Sequence, residues 1–200
     1  MTNKKTPQIY IIAGPNGSGK TTSAKTLLPE LLDCYEYVNA DSVAAALSPF
    51  NPDNVAMQAG RLMLGRLENL AKINKSFSFE TTLASRTFIP FLTKCISNGY
   101  KVNILFLWLK YPVIAIDRVK SRVAQGGHDI PQDVIIRRYY RSINNFLTAY
   151  SEIAHNWYLY DNSGKYSDLI AYKIENQKLN IADDNLWNEV NSLELEHEVN

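Results

Sequence analysis

Gly14-Pro15-Asn16-Gly17-Ser18-Gly19-Lys20-Thr21 carries the spacing G-x-x-x-x-G-K-[ST], and the apolar run Ile9-Tyr10-Ile11-Ile12-Ala13 stands directly before it. A short apolar run closed by glycine reads as a buried strand, and Thr21 to Leu32 carries apolar residues at helical spacing. Strand, loop and helix in that order are the context this motif requires. Glycines let successive N–H groups curl inward onto phosphate oxygens, and the first helical turn adds its positive dipole end. The segment predicts a nucleoside triphosphate site made of Gly14, Pro15, Asn16, Gly17, Ser18, Gly19, Lys20, Thr21 and Thr22. In it Lys20 reaches the β- and γ-phosphates and the Thr21 hydroxyl ligates Mg²⁺.

Outward from the loop, strands alternate with helices. Tyr35 to Asn39 reads as a second strand ending at Ala40-Asp41, with a short helix over Ser42–Ala46. Val55, Ala59, Leu62, Met63, Leu67 and Leu70 form one stripe within Asn54 to Ile73, a long amphipathic helix. Ser76 to Glu80 reads as a third strand, and a helix from about Arg86 to Asn98 stops at Gly99. Val102 to Leu109 is the most continuous apolar segment and so a central strand. Pro112 and Pro131 each open a helix, the first ending at Gly126-Gly127 and the second running to about Ala154. Trp157 to Tyr160 is the fifth strand. This order predicts an α/β P-loop NTPase, a five-stranded parallel sheet flanked by helices with right-handed crossovers. Asp168–Ile174 and Lys178–Ile181 look like a hairpin added at the sheet edge. A docked helix follows in the acidic tail, within a hairpin-and-helix unit spanning about residues 167–200.

Two hundred residues suit a single domain covering residues 1–200. A net charge of +1 provides no global field for a polyanion, so nucleic acid is not an expected partner. Cys34 and Cys95 lack metal-ligand spacing and read as reduced thiols of a cytoplasmic protein. No apolar run approaches the roughly 20 residues of a membrane span, and the short N-terminal lead into the first strand does not read as a signal peptide.

In an open α/β sheet, ligands bind outside the carboxyl ends of the strands. Asp41, Glu80 and Asp161-Asn162-Ser163 fall there. Asp41 also stands where a helix N-cap would, before Ser42, but two acids beside a phosphate loop point to Mg²⁺ or to a hydroxyl substrate. Arg118, Lys120 and Arg122, then Gly126-Gly127-His128, then Arg137, Arg138 and Arg141 describe two basic helix ends around a glycine hinge. This is a lid over about residues 122–138 that could bring cations onto a γ-phosphate as its charge spreads.

The phosphate loop, Asn39-Ala40-Asp41, Phe79-Glu80-Thr81-Thr82-Leu83, Gly126-Gly127-His128-Asp129-Ile130-Pro131 and Arg137-Arg138-Tyr139 occur in that order. As an ordered set over about residues 8 to 163 they make the chain resemble the zeta toxin family of P-loop kinases, in the branch labelled predicted ABC-type ATPases. The ABC label has no support in a Leu-Ser-Gly-Gly signature, which is absent. The resemblance implies transfer of the ATP γ-phosphate, with Mg²⁺, to a sugar hydroxyl of a nucleotide sugar such as UDP-N-acetylglucosamine, or to another small hydroxyl acceptor. It implies that Asp41 is the general base, that Glu80 and Thr82 bind substrate, and that Lys20, Arg122 and Arg137 or Arg138 serve catalysis. Tyr160-Asp161-Asn162-Ser163 also matches that branch and adds Asn162 to the ATP set. Family members carry a basic residue shortly after the Thr-Leu pair; this chain has Ala84 there, and Arg86 becomes the substrate-binding candidate. The family also implies a possible small antitoxin partner. Two other readings stand beside this one: a polynucleotide or nucleoside kinase with Tyr139-Tyr140 as its stacking surface, and an ATP-binding module without transfer.

Overall fold

In the computed structural model, which describes residues 6–30, 32–127 and 129–195, β1 (Gln8–Ala13) lies between β3 (Phe77–Thr81) and β4 (Lys101–Trp108), parallel to both. β2 (Tyr37–Val38) extends the sheet beyond β3, and β5 (Asn156–Asp161) extends it beyond β4, also in parallel. The order β2-β3-β1-β4-β5 makes β4 the middle strand of the full sheet once β6 (Asp168–Lys173) and β7 (Asn180–Ile181) are added antiparallel at the β5 edge. The five parallel strands and the edge hairpin are those the sequence periodicity predicts.

β1 shows why these residues form this layer. Ile9, Ile11 and Ala13 point into the larger core, while Ile12 points to the other face with Ala24, Leu28, Cys34 and Leu107. A parallel strand buried on both faces reads as a continuous apolar run for this reason. The second face carries α1 (Lys20–Glu30). The larger core collects α3 (Ala56–Lys72), α4 (Ile89–Ser97), α5 (Pro112–Ala124) and α6 (Gln132–Asn145) through Met63, Leu67, Leu92, Val119 and Ile143. Both cysteines are free and buried.

Three of the boundaries that differ from the sequence reading have a local physical cause. β2 is two residues long rather than five, because it pairs on one side only, with β3. The helix expected over Asn54–Ile73 begins as a 3₁₀ turn, Pro52–Val55, since Pro52 opens the turn before the apolar stripe engages. The helix opened by Pro131 passes at Phe146–Tyr150 through a π turn, which seats Phe146 against Phe106 and Trp157, and ends in α7 (Ser151–Ile153). α2 (Ala40–Leu47) packs against α3, and α8 (Asp184–Leu195) docks on α6 and β6, with Trp187 stacked on Trp157. Among the described residues no helix is long and apolar enough to cross a membrane.

Candidate active site

The phosphate loop runs from the end of β1 into α1. Gly14 has φ of 139°, and a Cβ there would enter the Leu107 carbonyl of the neighbouring strand. Gly19 has φ of 85°, and a Cβ would lie 2.8 Å from the Asn162 amide nitrogen. Neither position admits a side chain. Lys20 Nζ donates to the carbonyls of Gly14 at 3.0 Å and Pro15 at 2.8 Å, so the lysine folds over its own loop. Burial lowers its pKa to about 8; Glu80 and Asp41 pull it back up, while Arg122 and Arg138 push it down.

Glu80, at the end of β3, is 9% exposed and accepts hydrogen bonds from three side chains. Thr21 Oγ1 donates at 2.8 and 3.0 Å to its two oxygens, Tyr37 Oη donates at 2.7 Å, and Asn39 Nδ2 donates as well. A carboxylate so supplied with donors is held in one orientation. Asn39, not Asp41, caps α2: its Oδ1 accepts from Ser42 N at 3.0 Å. That corrects the capping alternative for Asp41. Asp41 sits exposed in the first turn of α2 and lines the cleft.

The cleft has a volume of about 650 Å³. The loop residues Asn16, Gly17, Gly19, Lys20, Thr21 and Thr22, together with Asp41, Glu80 and Thr82, open into it, as do Arg122, Arg137 and Arg138. Arg138 is half-buried and close enough to Lys20 to depress its pKa, whereas Arg137 is exposed. α5 closes at Gly126, whose φ of 86° lets its N–H reach Val123 O, and Gly127 N donates to Arg122 O. The glycine pair thus turns the chain directly behind Arg122. His128 lies outside the described residues.

Two expected members stand elsewhere. Arg86 is turned out of the cleft: Nε donates to Asn145 Oδ1 at 3.0 Å and a terminal nitrogen to Thr148 Oγ1 at 2.9 Å, anchoring the β3–α4 loop to the π-turn region. Asn162 does not line the cleft; its amide donates to Ser18 O at 2.7 Å and supports the loop from behind. The stacking surface needed for a polynucleotide substrate is also missing at Tyr139, which is fully buried and donates to Leu109 O at 2.6 Å.

Sequence reasoning assigned no individual site role to four participants. Arg118 lines the cleft and donates to the carbonyls of Asn162 and Ser163, each at 2.8 Å, and of Gly17 at 3.4 Å. Its spacing of four before Arg122 puts both on one helix face, a signal the sequence did contain. Asn39 could have been found from its cap spacing to Ser42. Tyr37 and Arg141 carry no local signal; only the β2–β3 register and the turn of α6 bring them in.

The chain can be set beside known proteins on this geometry. A Haemophilus influenzae protein described as uncharacterized is 32% identical over 127 residues, which cover 63% of this chain and 88% of that one. Among solved structures, AvrRxo1-ORF1 in complex with AvrRxo1-ORF2 and sulphate ions aligns with a TM-score of 0.77 and 16% identity over 96% of this chain. This chain spans 66% of the length of that one. The PezAT chromosomal toxin–antitoxin system of Streptococcus pneumoniae aligns with a TM-score of 0.58 and 15% identity, over 82% of this chain and 72% of that one. At such identities the structural matches carry the fold alone. The Zeta toxin family model matches residues 1–169, and the chain therefore belongs to the zeta toxin family, whose members are related to P-loop kinases.

Proposed function

We propose that the chain transfers the γ-phosphate of ATP to a hydroxyl of a small acceptor, a nucleotide sugar such as UDP-N-acetylglucosamine. The observation that carries this reading is the meeting of opposite chemistries in one cleft: Lys20, Arg122 and Arg138 on the phosphate side, Asp41 and Glu80 facing them. In this reading Asp41 takes the proton of the attacking hydroxyl and Glu80, held by Tyr37 and Asn39, orients the acceptor. Arg122 and Arg138 neutralise charge as it spreads over the phosphoryl oxygens. Lys20 leaves the Gly14 and Pro15 carbonyls for the β- and γ-phosphates, and Arg118 keeps the loop tied to the end of β5.

Thr21 and Glu80 put a hydroxyl and a carboxylate oxygen in contact, a hard-oxygen pair that fits Mg²⁺. Among the described residues no cluster of three or more His, Cys, Asp or Glu could hold a metal, so the remaining ligands would come from phosphates and water. Bound there, the ion would neutralise charge on the transferring phosphate.

The buried, free state of Cys34 and Cys95 supports a reducing, cytoplasmic setting. A small antitoxin partner belongs to the same reading; the AvrRxo1-ORF1:ORF2 complex and the PezAT toxin–antitoxin system among the structural neighbours support it.

The test is ADP release from ATP and Mg²⁺ with a panel of nucleotide sugars. Acceptor-dependent turnover that drops about 10²–10⁴-fold in Asp41→Asn, with ATP affinity retained, is the expected result. No turnover with any hydroxyl acceptor would leave an ATP-binding module in place of a kinase.

A further inference from the structure

Gly60 lies in the interior of α3, a position where glycine weakens a helix relative to alanine. Its backbone is not left-handed, and a Cβ built on it meets nothing within 4 Å, so neither conformation nor close packing calls for glycine. Gly65, one and a half turns on, is equally open. The two differ in one respect. Gly60 lines the cleft, with Ala56 and Met63 on the same helix face, and Gly65 does not.

The topology gives this wall a place. α3 packs against α2 and β2, on the side of the sheet where β2 and β3 end in Asp41 and Glu80, away from α5 and β4. That is the acceptor side of the cleft in the reading above. An independent sign that the cleft is built around a ligand is Asn16. It is 7% exposed and lines the same space, and its Oδ1 has no hydrogen-bond partner among the described residues.

We propose that Gly60 is a specificity-determining position: the missing side chain leaves bare backbone against which the acceptor lays a ring face, with Ala56 and Met63 on either side. The site thereby selects ring-bearing acceptors, sugar or base, over short acyclic alcohols. The proposal rests on the kinase reading for the word acceptor, but its binding arm does not depend on transfer.

Gly60→Ala, Gly60→Leu and Gly65→Ala separate the alternatives. Both alanine variants should melt about 2–4 °C above wild type, since each improves the helix, which shows that they fold. With UDP-N-acetylglucosamine as the probe, Gly60→Ala should raise acceptor KM about tenfold and Gly60→Leu further, the scale of one added group in a fitted pocket. ATP KM should not move, and Gly65→Ala should match wild type in every kinetic constant. Calorimetric binding of the same probe without ATP should weaken in the same order. Wild-type turnover with an acceptor KM indifferent to position 60 would overturn the inference and leave the kinase reading intact. Probe binding that is lost in Gly60→Leu, with no turnover of any hydroxyl acceptor by the wild type, would sustain the inference and overturn the kinase reading. Wild-type protein that neither binds nor phosphorylates the probe or any other hydroxyl acceptor of the panel would overturn both.

Discussion

Lys20 is protonated or not according to what surrounds it, and with Lys20 on the phosphates, as proposed, nucleotide binding should depend on pH. Its pKa of about 8 in the free protein reflects burial first. Phosphate anions favour the ammonium, so the bound form must have a higher pKa. Binding then takes up a proton as pH passes above about 8, and affinity, flat at lower pH, declines there. Calorimetry at pH values around 8 to 9, in buffers of different ionisation heat, should show this uptake. Lys20→Arg should abolish it because a guanidinium stays charged. The adjacent Arg137 and Arg138 were indistinguishable in the sequence, since neighbours on a helix differ by only part of a turn. Burial and proximity to Lys20 single out Arg138. Turnover in Arg138→Ala should fall by about 10³ or more, the range for arginines in phosphoryl transfer, with little change in ATP affinity. Arg137→Ala should lose much less, and equal losses in the two single variants would reverse the assignment.

At the scale of elements, Asn39 joins two tasks. It caps α2 through Oδ1 and holds Glu80 through Nδ2. Asn39→Ala should cost about 1 kcal/mol for the cap alone and lower turnover as well, because Glu80 loses a donor. Thermal melts and acceptor-dependent rates measured on one preparation check both, and a stability loss with unchanged rates would confine Asn39 to capping. The elements themselves were legible where pattern and burial coincide. β1 is apolar from Ile9 to Ala13 and β4 from Ile104 to Trp108 because both faces of the sheet are covered, and Pro112 marks the start of α5. Legibility failed where partners lie far along the chain. β2 is trimmed by having a partner on one side only, and the π turn at Phe146–Tyr150 has no residue signature. Arg86 became a substrate-binding candidate through the family's basic residue after the Thr-Leu pair, yet it answers to Asn145 and Thr148, 59 and 62 positions away.

Over the whole molecule the net charge of +1 conceals a strongly uneven distribution. Lys20 and Arg118, Arg122, Arg137, Arg138 and Arg141 share one cleft with Asp41, Asp53 and Glu80. Attraction of an anionic nucleotide into that field should weaken as salt rises from about 0.01 M to about 0.15 M and the Debye length shrinks from about 30 to about 8 Å. Stopped-flow association rates of a fluorescent ATP analogue should fall over that range, and a salt-independent rate would mean that the cleft arginines do not steer. The clamp on the phosphate loop has a consequence in time as well as in space. Ser18 is held by Asn162, 144 residues later, and Gly17 by Arg118, whose other partners are the carbonyls of Asn162 and Ser163. A nascent chain that has emerged only through β4 possesses the whole glycine motif but not the brace that shapes it. The shape of the loop is therefore set only once β5 and the Asn162-Ser163 turn behind it have taken their place.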